Sequence, residues 1–396
     1  MISCTDIERI CSALSKAFNT LSESFGGKNV IFAGDFAQLQ PAGQGKHSLY
    51  SPNVGITTTS SSSKGQRAAL GKAIWHTFTT VVILRQNMRQ TGMCSEDIAF
   101  RTALSNMRYG RCTNDDINLL NTRVHSPAHD AQIDDFDRFA DVAVITARNA
   151  HRDAINEDKV RRFAARHGHD LHLFHSKDSW GKGKKTESMR EAQRLYDNVV
   201  DPVRSTNTIG PKLQNVLWSI PHALSEHHAG ILPICKDMPV LLKINEATEL
   251  GATNGAPGRV YGWDSHTDKQ GREYLDVLFI RLSSPPHPVQ VDGLPPNVIP
   301  VGRHKLSVTV TLPVGDIAIT IQREQVPCLP NFAMTDFTCQ GLTLTLNVIH
   351  PRYCSNHQSL YTVLSRSSSL RDTVILEGFD RNKIQRGCSP ALLQEF

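Results

Sequence analysis

The sequence predicts an α/β protein with a β-rich segment set into it, on three observations. Amphipathic helical text opens the chain and leads to the short apolar run VIFA (30–33). Strand–helix–strand text returns at 345–376, through TLNVIH, a helix at 357–365 and TVIL (373–376). Between them, 238–325 is dense in β-branched and aromatic residues broken by Gly, Asn and Pro turns.

Taken in order, residues 5–18 place Ile7, Ile10, Cys11, Leu14, Ala17 and Phe18 at helical spacing, with Thr5 and Glu8 spaced as a capping box. VIFA then reads as a buried strand, and Gly34-Asp35 as the loop leaving it. Residues 42–67 are small and polar and read as a flexible loop. VVIL (81–84) reads as a strand, 95–123 as helical and DVAVITA (141–147) as a strand. Residues 160–215, rich in His, Lys, Arg and Gly with little periodicity, read as a second flexible loop. Histidines at 167, 169, 172 and 175 could hold a metal, but no carboxylate or thiolate pattern accompanies them, and a solvated loop is the expectation. PVLLKI, GRVYGW, YLDVLFIRL, HKLSVTVTL and DIAITI supply the strands of a small barrel or sandwich. Ser355 and Gln358 are spaced to cap the 357–365 helix.

A chain of 396 residues accommodates two or three domains. No apolar run is longer than VVIL, which excludes a helical membrane span, and MISCTDIERI shows no signal-peptide pattern. The net charge of +5 is compatible with a polyanionic partner without identifying one. Nine scattered cysteines without a C-x-x-C pair read as reduced thiols in an intracellular compartment.

Four stretches concentrate polar chemistry. VIFAGDFAQLQPAG (30–43) sets Asp35 and Gln38 just beyond a strand's carboxyl end, where open α/β sheets bind ligands, although a capped turn explains Asp35 equally. In LRQNMRQ (84–90), Arg89 is either surface charge or a bidentate phosphate ligand. NFAMTDFTCQGLTL (331–344) carries Thr335, Thr338, Gln340 and Gly341. SLYTVLSRSSSL (359–370) delivers Arg366 near a helix C-terminus, where the helix dipole alone accounts for a cation.

Together and in order, these stretches resemble the later motifs of superfamily-one DNA helicases, most nearly the PIF-type group with its Helitron-transposon members. G-D-x-x-Q-L-x-P is matched by Gly34, Asp35, Gln38, Leu39 and Pro41, and L-x-x-N-M-R by Leu84, Asn87, Met88 and Arg89. I-T-A-x-N is matched by Ile145, Thr146, Ala147 and Asn149, and N-G-x-x-G-x-V by Asn254, Gly255, Gly258 and Val260. F-A-M-T followed by Q-G-x-T-L is matched by 332–335 and by Gln340, Gly341, Thr343 and Leu344, and L-Y-x-x-L-S-R by Leu360, Tyr361, Leu364, Ser365 and Arg366. Here Phe337, Thr338 and Cys339 stand where the family has His-Lys-Ser, and Ala37 and Gln40 replace a common Arg and Pro.

The resemblance implies a RecA-like P-loop NTPase fold. It assigns 1–80 to a truncated first motor domain, 81–237 with 326–396 to a complete second one, and 238–325 to an inserted β-barrel module. It implies a 5′→3′ helicase using ATP and Mg²⁺ on single-stranded DNA, nuclear or organellar, with the oligomeric state open. Arg89 and Arg366 would reach the γ-phosphate, where such a finger accelerates phosphoryl transfer by ~10³–10⁵. Gln38 would sense that phosphate or its water, Gly34 and Asp35 would line the nucleotide site, and Gln340-Gly341 would couple it to the DNA groove. Thr146, Asn149, Thr335 and Thr338 would bond DNA phosphates, and Phe36 or Phe337 would stack a base.

The sequence contains no G-x-x-x-x-G-K-[ST] box. At GKGKKT (181–186) the position of the first Gly is Asp178. The acidic pair that would bind Mg²⁺ is also missing, and Met1-Ile2-Ser3 resembles the residues that follow it. The expectation is therefore the carboxyl-terminal two-thirds of a motor, inactive alone, lacking an amino-terminal motor segment. The alternative is a non-catalytic single-stranded DNA-binding module or a degenerate transposon remnant.

Overall fold

Helix Cys4–Ala17 starts from Ser3, not from the Thr5–Glu8 box expected. Ser3 Oγ accepts the Asp6 amide at 3.2 Å and Asp6 returns a carboxylate oxygen to the Ser3 amide at 3.0 Å. Thr5 is buried against Ser3, and Glu8 pairs with Arg67 at 2.9 Å. The computed structural model describes residues 2–43, 45–55, 62–125, 136–181, 186–198, 207–283 and 285–395. Within the helix, Ile7 and Cys11 face a core that includes Phe25, Phe32, Trp75 and Phe78, whereas Ile10 and Phe18, expected on that face, are exposed. Helix Ser63–Trp75 packs so closely on Cys4 that a Cβ on Gly71 would lie 1.7 Å from the Cys4 carbonyl oxygen. The second half of the expected 42–67 loop is thus the start of a helix, while 44 and 56–61 lie outside the described residues.

The runs VIFA and VVIL form no strand. A strand needs a ladder partner for its amides and carbonyls, and none of the described residues supplies one. Val30 and Phe32 turn inward onto the aromatic cluster while Ile31 is 92% exposed, and Val81 to Leu84 are 64–91% exposed. The strands expected at the other end do form. Val124–His125, Thr373–Leu376 and Asn347–His350 pair in that order, all parallel, with Val144–Thr146 next in the sheet.

The chain divides into two units, one of Met1–Phe139, Ile145–Ala147 and Asp336–Phe396, the other of Ala140–Val144 and Arg148–Thr335. The second unit is larger than the expected 238–325 module. Its core joins Val160, Phe163, Ala164 and Phe174 to the strand residues Val240, Val260, Leu278 and Ile280. Its main sheet runs Cys328–Pro330, Pro239–Leu242, Pro257–Thr267, Glu273–Leu282, His172–His175, Ile231–Ile234, with Val298–Gly302 beside Glu273–Leu282. A three-stranded antiparallel sheet joins His304–Thr311, Ala318–Gln325 and Lys177–Ser179.

Residues 160–215 are largely structured, against expectation. They hold the end of helix Asn149–His167, two strands and the helices Glu187–Asp197 and Pro211–Ser219, with 182–185 and 199–206 outside the described residues. Periodicity was weak because the buried contacts are few per helix, yet Ala192, Leu213 and Leu217 seal a core with Val308, Val310 and Ile321. The histidines make pairs instead of a cluster. His167 meets Asp141 at 3.0 Å, His172 meets Glu273 at 3.1 Å, and His175 lies edge-on to Trp218.

Arg323, 1% exposed, locks the three-stranded sheet in place. It bonds both Asp178 oxygens (2.9 and 2.7 Å) and the carbonyls of Leu217 and His228 (both 2.9 Å), while Ser176 and Gln214 complete Asp178. Removing one member leaves the other charge buried and alone. Asp178→Ala is expected to cost about 3–5 kcal/mol, and the joint Asp178→Leu/Arg323→Met change markedly less, read from urea unfolding midpoints.

Candidate phosphate-binding site

The first unit brings two of the expected residues onto one acceptor residue. Helix His357–Leu364 opens on Asn356, not on the expected Ser355, and ends at Ser365. Arg366 follows, 1% exposed. Its guanidinium donates to the Thr362 carbonyl (2.9 Å), the Ser365 hydroxyl (2.9 Å) and the Leu342 carbonyl (3.5 Å). Arg89 arrives from the 85–91 segment, donating to the Ser365 carbonyl (2.9 Å) and to Thr343 Oγ1 (3.0 Å). Neither guanidinium has a carboxylate partner among the described residues. Burial, then the charge of Arg89, pull Arg366 below the usual arginine range; burial does the same to Arg89.

The local sequence explains how Arg89 is held. Asn87 Oδ1 accepts the amides of Arg89 (2.9 Å) and Gln90 (3.1 Å), folding the segment into a turn. Gln90, 3% exposed, receives Asn87 Nδ2 at 2.7 Å and donates to the Ser367 carbonyl. Both side chains therefore serve the arginine between them.

A second chain of contacts runs through the GD turn. Asp35 Oδ1 takes Arg108 at 2.8 Å and the Ala37 amide at 3.0 Å, while Oδ2 takes Gln38 Nε2 at 3.1 Å. Gln38 Oε1 then accepts Gln340 Nε2 at 3.4 Å. Burial opposes the charge on Arg108, and Asp35 with Tyr361 outweighs it, holding the guanidinium above its usual range. Tyr361, itself pushed up by burial, bonds Arg108 and lies in the field of Asp35 and Arg366. Gln358 fastens the turn by donating to the Phe36 carbonyl (2.7 Å) and the Tyr50 hydroxyl (2.9 Å). Sequence reading missed Arg108, Gln90 and Gln358, and only the helical phase of the last, on the face of Leu360 and Leu364, pointed inward.

The other expected residues are more scattered. Gly341 has φ +88°, a left-handed conformation that favours glycine, whereas a Cβ on Gly34 would meet nothing within 4 Å. Phe36 lies edge-on to Tyr50 (5.7 Å) and Trp75 (6.1 Å), and Phe337 is 48% exposed. Thr338 is half-buried. Thr146 is 1% exposed, with its hydroxyl unpartnered. Asn149 and Thr335 belong to the second unit, where exposed Asn149 accepts Arg152 at 3.0 Å and Thr335 is buried.

No family model and no curated protein matches the chain. Solved structures do. The Pif1 helicase of Candida albicans superposes with a TM-score of 0.58 at 16% identity, over 100% of this chain and 74% of that one. Bacteroides Pif1 bound to ssDNA, and the same helicase with ADP-AlF3 and ssDNA, each give 0.57 at 18% identity, over 97% of this chain and 70% of theirs. The fold is that of a Pif1-like superfamily-one helicase.

For a Pif1-like fold, the groups to test against the site are a nucleotide and a divalent cation. Two buried guanidinium groups facing only neutral acceptors suit the terminal phosphoryl group of a nucleotide. They do not suit Mg²⁺, because Asp35 is committed to Arg108 and Gln38, and Asp336 to Ser359 (2.6 Å) and the Phe337 amide (3.0 Å). No cluster of three metal-binding side chains exists among the described residues.

Asp336 adds a pH dependence. Burial lifts its carboxyl above the ordinary range, with Ser359 and the Phe337 amide pulling the other way. A raised acid is protonated more readily in the folded state, so its contribution is complete below the ordinary carboxylate range and is lost as pH rises through the raised value. Thermal unfolding from about pH 4 to 8 is expected to show this decline, and Asp336→Asn to flatten it.

Proposed function

We propose that this chain is motor machinery of a PIF-type, ATP-dependent 5′→3′ DNA helicase. It would bind single-stranded DNA and present Arg89 and Arg366 to the γ-phosphate of ATP. One observation carries the reading: both arginines bond Ser365, and neither is neutralised by a carboxylate. Like charges this close are unfavourable unless an anion of higher charge sits between or beside them. The turn of Asp35 and Gln38 is joined to Gln340, so the polar groups expected to sense that anion form a continuous set of contacts in the same unit. The neighbours bound to ssDNA and to ADP-AlF3 support the choice of ligands.

The chain's own residues would orient and stabilise. Arg366, fixed by three acceptors, would supply a preorganised cation to charge developing on the equatorial phosphoryl oxygens. Arg89 would add a second from the Asn87 turn. Gln38, oriented by Asp35, would hold an attacking water or read the phosphate, and Gln340 would pass its position to the segment after Gly341. Mg²⁺ belongs to the intact reaction, and the residues at this site do not hold it.

Without a G-x-x-x-x-G-K-[ST] box in these 396 residues, the β-phosphate has no cradle, which favours a DNA-binding role when the chain acts alone. Tripolyphosphate, titrated against arginine side-chain NMR signals, is expected to move the Arg89 and Arg366 Nε resonances, and Arg366→Ala to weaken its binding at least ~10-fold. No response at either arginine would overturn the reading. DNA-stimulated ATP hydrolysis is expected not to exceed that of Arg366→Ala.

A further inference from the structure

The second unit carries an arrangement that the phosphate site does not use. Strands Pro257–Thr267 and Glu273–Leu282 are antiparallel, and Arg259 stands directly opposite Arg281 in their register. Like charges at facing positions destabilise a sheet. Both arginines are exposed, and neither has a carboxylate partner among the described residues. Arg259 donates to the backbone carbonyl of Asp237 at 2.9 Å, while the Asp237 carboxylate turns toward His169, 3.9 Å away. The nearest acid thus leaves the pair unneutralised.

A β-bulge lies beside them. The register slips between Val260 and Gly262, so Tyr261 is the extra residue of its strand. Bulges re-aim side chains, and here an aromatic ring is turned outward, 40% exposed in a strand whose neighbours Gly258 and Val260 are buried. The Arg281 guanidinium covers the ring 5.2 Å from its centroid. One sheet face therefore presents two unpaired cations and an exposed ring within two strand positions.

We infer that Arg259, Tyr261 and Arg281 form a seat for one nucleotide of single-stranded nucleic acid, its phosphate bridging the two guanidinium groups and its base stacked on Tyr261. Phosphate bonding relieves the facing charges and fixes the strand, while stacking is tolerant of sequence. The inference rests on the reading that this chain binds single-stranded DNA, and adds to it a contact outside the first unit.

Fluorescence anisotropy with labelled oligo(dT) tests it on the full chain, each variant first checked for an unchanged urea midpoint. Tyr261→Ala is expected to weaken binding about 5- to 100-fold, and Tyr261→Trp to keep it within ~3-fold of wild type. Arg259→Gln with Arg281→Gln is expected to lower the slope of log affinity against log salt by about 1.4, or 0.7 per phosphate contact. Arg161→Ala, an exposed cation paired with Glu157, serves as the charge control and is expected to leave binding unchanged. If wild type binds oligo(dT) and the variants at 259, 261 and 281 bind equally well, the seat is wrong and the motor reading stands. If wild type does not bind, both fail. Polyglutamate displacing oligo(dT) at equal charge, or Arg161→Ala weakening binding as much as the arginine pair, would also overturn the seat.

Discussion

Ser365 does what an acidic residue usually does for arginine, without an acid's charge. Its carbonyl takes Arg89 and its hydroxyl takes Arg366, so two cations are held together by dipoles alone. A carboxylate there would orient them equally well but would quench the field they project. The neighbouring sequence is shaped by this constraint. Asn87 folds the approach to Arg89, Gln90 ties that fold to Ser367, and Thr343 fixes the guanidinium plane. Arg108, by contrast, is neutralised by Asp35, and its work is to set the rotamer of Gln38.

The two units treat buried charge in opposite ways. In the second, Arg323 and Asp178 are both fully enclosed and nearly every polar atom is satisfied, an arrangement that fixes the junction of a sheet with two helices. In the first, charge is enclosed without its counterpart. That asymmetry, more than burial or pKa alone, separates a structural cluster from a ligand site.

Much of the site was legible because its residues fall in short, ordered motifs whose spacing reflects turns and helix ends. Asn87 and Arg89, or Tyr361 and Arg366, are close in sequence since one turn or one helix places both. The strands at 347–350 and 373–376 were equally plain, being apolar runs buried on both faces. Residues that act across the chain left no local mark. Arg108 meets Asp35 from a helix 73 positions away in sequence, and no pattern around it distinguishes it from surface charge. Helices within 160–215 were missed because their buried faces are only two or three residues wide. The opposite error arose at VIFA and VVIL, where composition matched a strand but strand formation depends on a partner that composition does not report.

The run Val81 to Leu84 has a practical consequence. Four consecutive apolar side chains, each more than half exposed, with free amides between them, form a short segment of high β-propensity and no charge. Such a stretch templates sticking between molecules, and only Arg85 at its carboxyl side acts as a gatekeeper. The colloidal behaviour of this protein, its yield and the concentration it tolerates, is therefore governed by a segment that contributes nothing to its chemistry.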